Sequence, residues 1–328
     1  MEVPQYIPEL EDELVESAQG SSEPFESQFA RREHIAVAGG MAEVVDVRPE
    51  HMKDEVPVFL APGWAISPDV NGPILKVLTD EGRRVVTLDH PTTGGTFDEL
   101  IKDMPDEVLE KYPPAELRKA LNIIGVLDTK GIDKTDVIAH SEGAVNTIIA
   151  AMLNPEKFRS IVLVAPAGMV GDDNYLRLMH GFAGQSYKAK PSMEGIGQRP
   201  AIEATETAKV VGANAMRSFI NYVRSNPARA LEETLTLANK ESQIHDLLRY
   251  LHEEVGIKIA VMAAVDDPVF HMDKIQETAK ADMLDGFISM RGGHGDIGEH
   301  PELFVKAAES LLTQLKEKGE KEKSATLQ

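Results

Sequence analysis

One short segment, Ala139-His140-Ser141-Glu142-Gly143-Ala144, restricts the folds open to this chain more than any other. An apolar run, Thr135-Asp136-Val137-Ile138, precedes it, and a run of small and apolar residues, Ala144 to Leu153, follows. The pattern predicts strand, sharp turn and helix, with a serine at the apex. Ala139 and Gly143, two before and two after the serine, suit a turn in which strand and helix come too close for bulky side chains. Such a turn holds the hydroxyl in the open above a helix N-terminus, whose N–H groups can stabilise an anion. On its own, a serine between small residues is a weak signal.

Three further segments bear on it. Residues 287–291 read as a strand, followed by Gly292-Gly293-His294-Gly295-Asp296 and then by His300-Pro301-Glu302-Leu303-Phe304, which opens the last helix. Flanking glycines are expected to leave His294 exposed on a flexible loop; alone it reads as a surface histidine. The run Ile259 to Val265 reads as a buried strand ending in a turn with two acids, Asp266-Asp267-Pro268; alone it reads as a capped turn, because Asp-Pro is a common turn dipeptide. Val56 to Ala61 is another apolar strand, ending in Pro62-Gly63-Trp64; alone it reads as a tight turn with Trp64 in the core.

Together the segments run in one order: a loop of backbone donors, a serine elbow, an acid after a late strand, a histidine before the last helix. Over residues 34–315 the chain resembles the α/β-hydrolases, whose triad order is Ser, Asp, His. Gly292-Gly293-His294 with Pro301-Glu302-Leu303-Phe304 is similar to that superfamily's histidine loop and closing helix, and 139–143 to its G-x-S-x-G elbow with Ala in the first place. After strand 84–89 the chain carries His90-Pro91-Thr92-Thr93-Gly94-Gly95-Thr96 where many members have an Arg-Gly-x-Gly-x-Ser-like loop. Pro62 stands where a His is frequent.

The resemblance implies an α/β fold, a doubly wound and mostly parallel sheet with an inserted helical cap. It implies Ser141 as nucleophile, His294 as base and an acid that orients the histidine. Ala264-Val265-Asp266-Asp267-Pro268 fits the superfamily spacing with Asp267 as that acid, and Asp266 is the alternative. The backbone N–H groups of Trp64 and Glu142 are the expected oxyanion donors. His140 is expected to point inward with a structural role. The Glu142 carboxylate could bond nearby loops or disfavour anionic substrates; the residues leave that open.

The alternation of strands and helices independently argues for a parallel sheet with right-handed crossovers. Gly39-Gly40 between the short runs 35–38 and 42–47 signals a hairpin. Strands are expected at 56–61, 84–89, 135–139, 160–165, 257–264 and 286–291. Helices are expected at about 72–81, 114–130, 143–153 and 301–317. The stretch between 165 and 257 is longer than a crossover needs, and predicts helices at about 201–224 and 227–254, with Pro227 at a helix start and Gly256 at its stop. The domain reading is an acidic mobile arm at 1–30 with a short helix near 9–17, a hydrolase core at 31–168 and 256–316, a helical cap at 169–255 and a fraying tail at 317–328. Within the cap, Met179, Phe182, Tyr187, Met193, Met216, Phe219 and Tyr222 either line an apolar acyl pocket or form the cap's own core; Met179, Phe182, Met216 and Phe219 are the substrate-binding candidates.

Composition narrows the function. The net charge of −20 across 328 residues argues against nucleic acid and anionic membranes as partners. From Met1 to Ala30 there are eight acids and no Lys or Arg. With no cysteine, disulfides, thiol nucleophiles and cysteine-held metals are excluded, and a cytoplasmic location fits. No run approaches a membrane span, and the N-terminus lacks the pattern of a signal peptide. The histidines are scattered without metal-ligand spacing, so neither metal nor cofactor is expected. A homodimer is compatible with the chain. The expected partner is a small-molecule ester or thioester. Amide, carbon–carbon and perhydrolase chemistry use the same triad. A non-catalytic binder on this scaffold is the competing class, and an intact Ser, Asp and His argues against it.

Overall fold

The computed structural model describes residues 20–171, 177, 206–237, 242–281 and 284–326. Eight strands form one sheet in the order β1-β2-β4-β3-β5-β6-β7-β8: β1 Glu33–Val37, β2 Gly40–Val47, β3 Asp54–Ala61, β4 Arg83–Asp89, β5 Thr135–His140, β6 Phe158–Val164, β7 Lys258–Ala264 and β8 Gly286–Met290. β1 and β2 are an antiparallel hairpin joined antiparallel to β4, and every later pairing is parallel.

Parallel strands covered on both faces need apolar side chains in both directions, hence their unbroken apolar runs. The register sorts them cleanly. Leu60, Ile138, Val162 and Ala260 lie side by side and face the helices Pro68–Asp80 and Pro301–Thr326. Their neighbours Phe59, Val137, Ile161 and Ile259 face the opposite core, under Pro114–Thr129 and Glu142–Leu153.

Three segments depart from the sequence expectation. The arm assigned to residues 1–30 is in part built into the fold: Phe25–Ala30 is a helix. Buried Gln28 donates to the carbonyls of Glu23 and Arg48 (2.7 and 3.0 Å) and accepts the Arg48 N–H at 2.8 Å. Phe25 and Phe29 pack on the core beneath. Residues 1–19, with the short helix expected near 9–17, lie outside the described residues. At the other end, the closing helix does not stop at 317 but runs to Thr326, with Lys318 paired to Asp285 at 2.8 Å. Its Lys/Glu alternation supplies such ion pairs where fraying was expected.

The insertion between β6 and β7 carries helices Glu206–Ser225 and Pro227–Leu237. The second was expected to continue to 254. Instead a separate helix, His245–Tyr250, follows, with a wider turn Leu251–Val255 ending at left-handed Gly256. Between them, Ser242 Oγ donates to Thr236 O (2.7 Å), Gln243 accepts the Gly171 N–H (3.0 Å), and Ile244 N–H donates to Gly168 O (2.9 Å). Those bonds hold the chain against the end of β6 and take its backbone out of helical pairing.

The two ends of the sheet differ in chemistry. At the N-terminal end of the parallel strands, buried Arg83 bridges Asp136 and Glu309 (2.7 Å each), and Arg159 bridges Asp54 and Asp136. At the C-terminal end, β3, β5, β7 and β8 deliver the Trp64, Ser141, Asp267 and His294 loops to one place.

Candidate active site

Ser141 sits between β5 and the helix Glu142–Leu153 with φ 56° and ψ −123°, a region costly for any residue with a Cβ. The surroundings impose it. The Ser141 N–H donates to Val164 O (3.0 Å), and its carbonyl accepts from Ala144 and Ala167 (3.1 Å each). Gly143 is required by space: a Cβ there would stand 2.6 Å from the carbonyl oxygens of Ala61 and Pro62.

His294 Nε2 lies 2.9 Å from Ser141 Oγ, and its Nδ1 lies 2.8 Å from Asp267 Oδ2. The structure therefore brings Ser141, His294 and Asp267 into one hydrogen-bonded line. Asp266, the alternative acid, is exposed and outside that line. His294 is not the exposed loop residue its glycines suggested. It is 5 % exposed, with the Phe270 ring edge-on at 5.2 Å. Gly292 allows this with a φ of 141°, and a Cβ there would strike the Asp296 carboxylate. That carboxylate accepts the Gly293 N–H at 3.0 Å, fixing the loop.

The charges follow from these contacts. Burial would raise the Asp267 carboxyl, but His294 and the N–H groups of Val269 and Phe270 outweigh it and hold it below the usual carboxylate value. Burial, with His294 close by, drives His140 down to about 3. His140 is therefore neutral, and its Nε2–H donates to the His294 carbonyl at 2.8 Å. It braces the histidine loop from within.

Trp64 and Glu142 flank the serine. A Cβ at Gly63 would lie 3.2 Å from Ser141 Cβ, so the β3 loop rests on the elbow. The Trp64 indole packs edge-on against Phe219 and Tyr222, with ring centres 5.6 and 6.1 Å away. Of the pocket candidates, Phe219 thus borders the site while 38 % exposed, and Met216 is 51 % exposed. Tyr222 is buried and bonds Glu233. Met179, Phe182, Tyr187 and Met193 lie outside the described residues. Among the described residues there is a cavity of about 1040 Å³. It is walled by the hairpin, the 90–96 loop and the helix Glu206–Ser225, and its lining includes Asp89, His90, Thr93, Arg217 and Asn221 but not Ser141.

The sequence reading missed a buried ion cluster behind the elbow. Lys119 Nζ lies 2.7 Å from both Glu142 oxygens and 3.0 Å from Glu233. Arg118 reaches Glu233 at 3.1 Å. Burial, then the charge of Glu142, pushes Glu116 well up, and burial with Glu233 pushes Glu142 up to about 7 against the pull of Lys119. A signal existed: Glu116 and Lys119 occupy the same helical stripe as Ile123 and Val126, where charge is rare unless paired.

A family model for the alpha/beta hydrolase fold matches residues 56–281. The chain belongs to the alpha/beta hydrolase fold family. Solved structures agree on the fold of this alpha/beta hydrolase. A thermophilic esterase from Thermogutta terrifontis is 15% identical with a TM-score of 0.57, over 87% of this chain and 99% of that one. An enol-lactonase from Burkholderia xenovorans is 14% identical with a TM-score of 0.59, over 86% and 100%. A meta-cleavage product hydrolase from Pseudomonas fluorescens is 16% identical with a TM-score of 0.57, over 86% and 97%. Among the described residues no helix is long and apolar enough to cross a membrane.

Proposed function

We propose that the chain is a serine hydrolase that cleaves a carboxylic ester or thioester of a small molecule through an acyl-enzyme. The observation that carries this is the line from Ser141 Oγ to His294 Nε2 (2.9 Å) and from His294 Nδ1 to Asp267 (2.8 Å). A serine hydroxyl is a poor nucleophile without a base in hydrogen-bond reach. His294 takes its proton as Oγ attacks the carbonyl carbon, then gives that proton to the leaving alcohol or thiol. Ionised Asp267 holds the ring with Nδ1–H toward itself and stabilises the imidazolium. The backbone N–H groups of Trp64 and Glu142 receive the oxyanion, a contribution of about 3 kcal/mol per donor. A water deprotonated by His294 then releases the acid. No metal or cofactor enters these steps. Helices of the β6–β7 insertion act as the cap that sizes the substrate.

The test is hydrolysis of p-nitrophenyl esters from acetate to palmitate, with Ser141→Ala beside the wild type. Turnover that vanishes in the variant supports the reading, and the chain-length optimum measures the pocket. Wild type that turns over no ester yet is labelled by a fluorophosphonate at Ser141 would move the reading to amide, lactone or carbon–carbon substrates of the same triad. Wild type that neither reacts nor labels would return it to a binding protein.

A further inference from the structure

The loop that carries the Trp64 N–H is held from outside the sheet. Ala65 has a φ of 56°, a conformation that a residue with a Cβ keeps only when its surroundings over-determine it. Those surroundings come from the β6–β7 insertion. Ser218 Oγ donates to Ala65 O at 2.7 Å and accepts the Ser67 N–H at 3.0 Å. The Trp64 indole Nε1–H donates to Glu233 Oε2 at 3.2 Å, and the Tyr222 hydroxyl donates to the same carboxylate.

Glu142, the other flank of the serine, ends on the same cluster. Lys119 holds its carboxylate at 2.7 Å and reaches Glu233 Oε2 at 3.0 Å. The side chains of both residues whose N–H groups would receive the oxyanion are therefore tied to one Lys119–Glu233 bridge. All three charged groups are at most 3 % exposed, so water neither screens nor replaces the contacts. The two loops touch at Gly63 and Gly143, and the bridge adds a second tie between them through their side chains; an oxyanion site tolerates only about half an ångström of error.

We propose that Lys119 and Glu233 are positioning residues that set the two oxyanion donors, so that the oxyanion site is complete only while the helices 206–237 are seated on the core. The proposal rests on the serine-hydrolase reading above, and it adds residues that touch neither substrate nor the reacting atoms.

Trp64 is the only tryptophan in the chain, so its fluorescence reports the tether directly. Glu233→Gln keeps an acceptor for the indole, Glu233→Ala removes it, and Trp64→Phe removes the donor while keeping an aromatic ring. With p-nitrophenyl butyrate, Glu233→Ala and Trp64→Phe are expected to lower kcat about ten- to a hundred-fold at nearly constant KM. Glu233→Gln should lose less. Fluorophosphonate labelling of Ser141 should slow in the same rank order. Trp64 emission should shift in Glu233→Ala more than in Glu233→Gln. The double variant Trp64→Phe/Glu233→Ala should be no worse than the worse single, because both cut one tether.

Folded variants that keep wild-type kcat, or lose activity only through KM, or combine additively overturn the proposal and leave the serine-hydrolase reading standing. Where Glu233→Ala does not fold, Trp64→Phe and Glu233→Gln decide by the same criteria. A wild type that fluorophosphonate does not label fails the underlying reading, and the proposal falls with it; that outcome is told apart because the wild type itself is unreactive.

Discussion

Asp267 divides its carboxylate between His294 and its own turn. Oδ2 faces His294 Nδ1 at 2.8 Å, while Oδ1 accepts the N–H groups of Val269 and Phe270 at 2.7 and 3.0 Å. Its neighbour Asp266 is exposed and contributes its backbone N–H to Gly292 O at 2.9 Å. Asp267→Asn should therefore lower kcat on the order of a thousand-fold or more, as loss of the orienting acid does in a serine triad. Asp266→Asn, which keeps the backbone bond, should leave kcat/KM close to wild type. Steady-state kinetics on one ester decides; equal losses in the two variants would remove Asp267 from its role.

The space around Gly143 gives a second expectation. The carbonyl oxygens of Ala61 and Pro62 stand where a Cβ would be, at 2.6 Å, and neither is a flexible side-chain end. Gly143→Ala must push the helix away from β3 and tilt the serine. Overpacking of this kind costs about 1–3 kcal/mol of stability. An ångström of displacement at the nucleophile costs on the order of a hundred-fold in rate. Activity should thus fall far more than Tm, and a variant with wild-type kcat would show that the elbow has slack.

Much of the sheet was legible because burial on both faces writes itself into the strands as apolar runs, and Gly and Pro mark their ends. The elbow was legible for the same reason, with one serine amid small residues at a strand end. Other features depend on distant partners. Trp64 meets Glu233 across 169 positions, and Arg118 meets it across 115, and no local pattern encodes such a pairing. Phe25–Ala30 looked like part of a solvated arm because its helix has only six residues; Gln28 and two phenylalanines hold it by tertiary contacts. Of the residues that either line an acyl pocket or form the core of the insertion, Met179, Phe182, Tyr187 and Met193 lie outside the described residues. Helical periodicity gives no direction for the whole helix, so Met216 and Phe219 could not be aimed from the sequence.

The far end of the sheet separates stability from catalysis. Arg83 is 2 % exposed and neutralises Asp136 and Glu309, and its Nη2 also donates to Val56 O at 3.1 Å. Arg83→Met leaves two buried carboxylates short of a partner, a loss of about 3–5 kcal/mol. The site loops leave the opposite ends of these strands. Chemical denaturation should show the full loss, while kcat of the folded fraction stays at the wild-type value. A fall in kcat without a fall in stability would mean that this ion network acts on the site.

Asp89, at the C-terminal end of β4, carries a pH expectation with a definite sign. Burial and the nearby charges of Glu43 and Asp69 push its carboxyl up to about 7, against the pull of Lys119. Its value in the unfolded chain is near 3.8. Between those limits the folded state binds more protons than the unfolded one, so this residue's contribution falls as pH rises through about 4 to 7 and stays low above it. Buried neutral His90 and His140, both held below their ordinary value, act in the opposite sense and weaken the fold as pH falls below about 6.5. The wild-type curve is a sum of these, so the informative quantity is a difference. Asp89→Asn cannot ionise and should match wild type below about pH 4 yet exceed it in Tm by a margin that grows up to about pH 7, by about 2–4 °C for each kcal/mol relieved. Thermal unfolding of both proteins across that range checks it, and a Tm difference that does not grow with pH would show that Asp89 is ionised in the folded state at no cost.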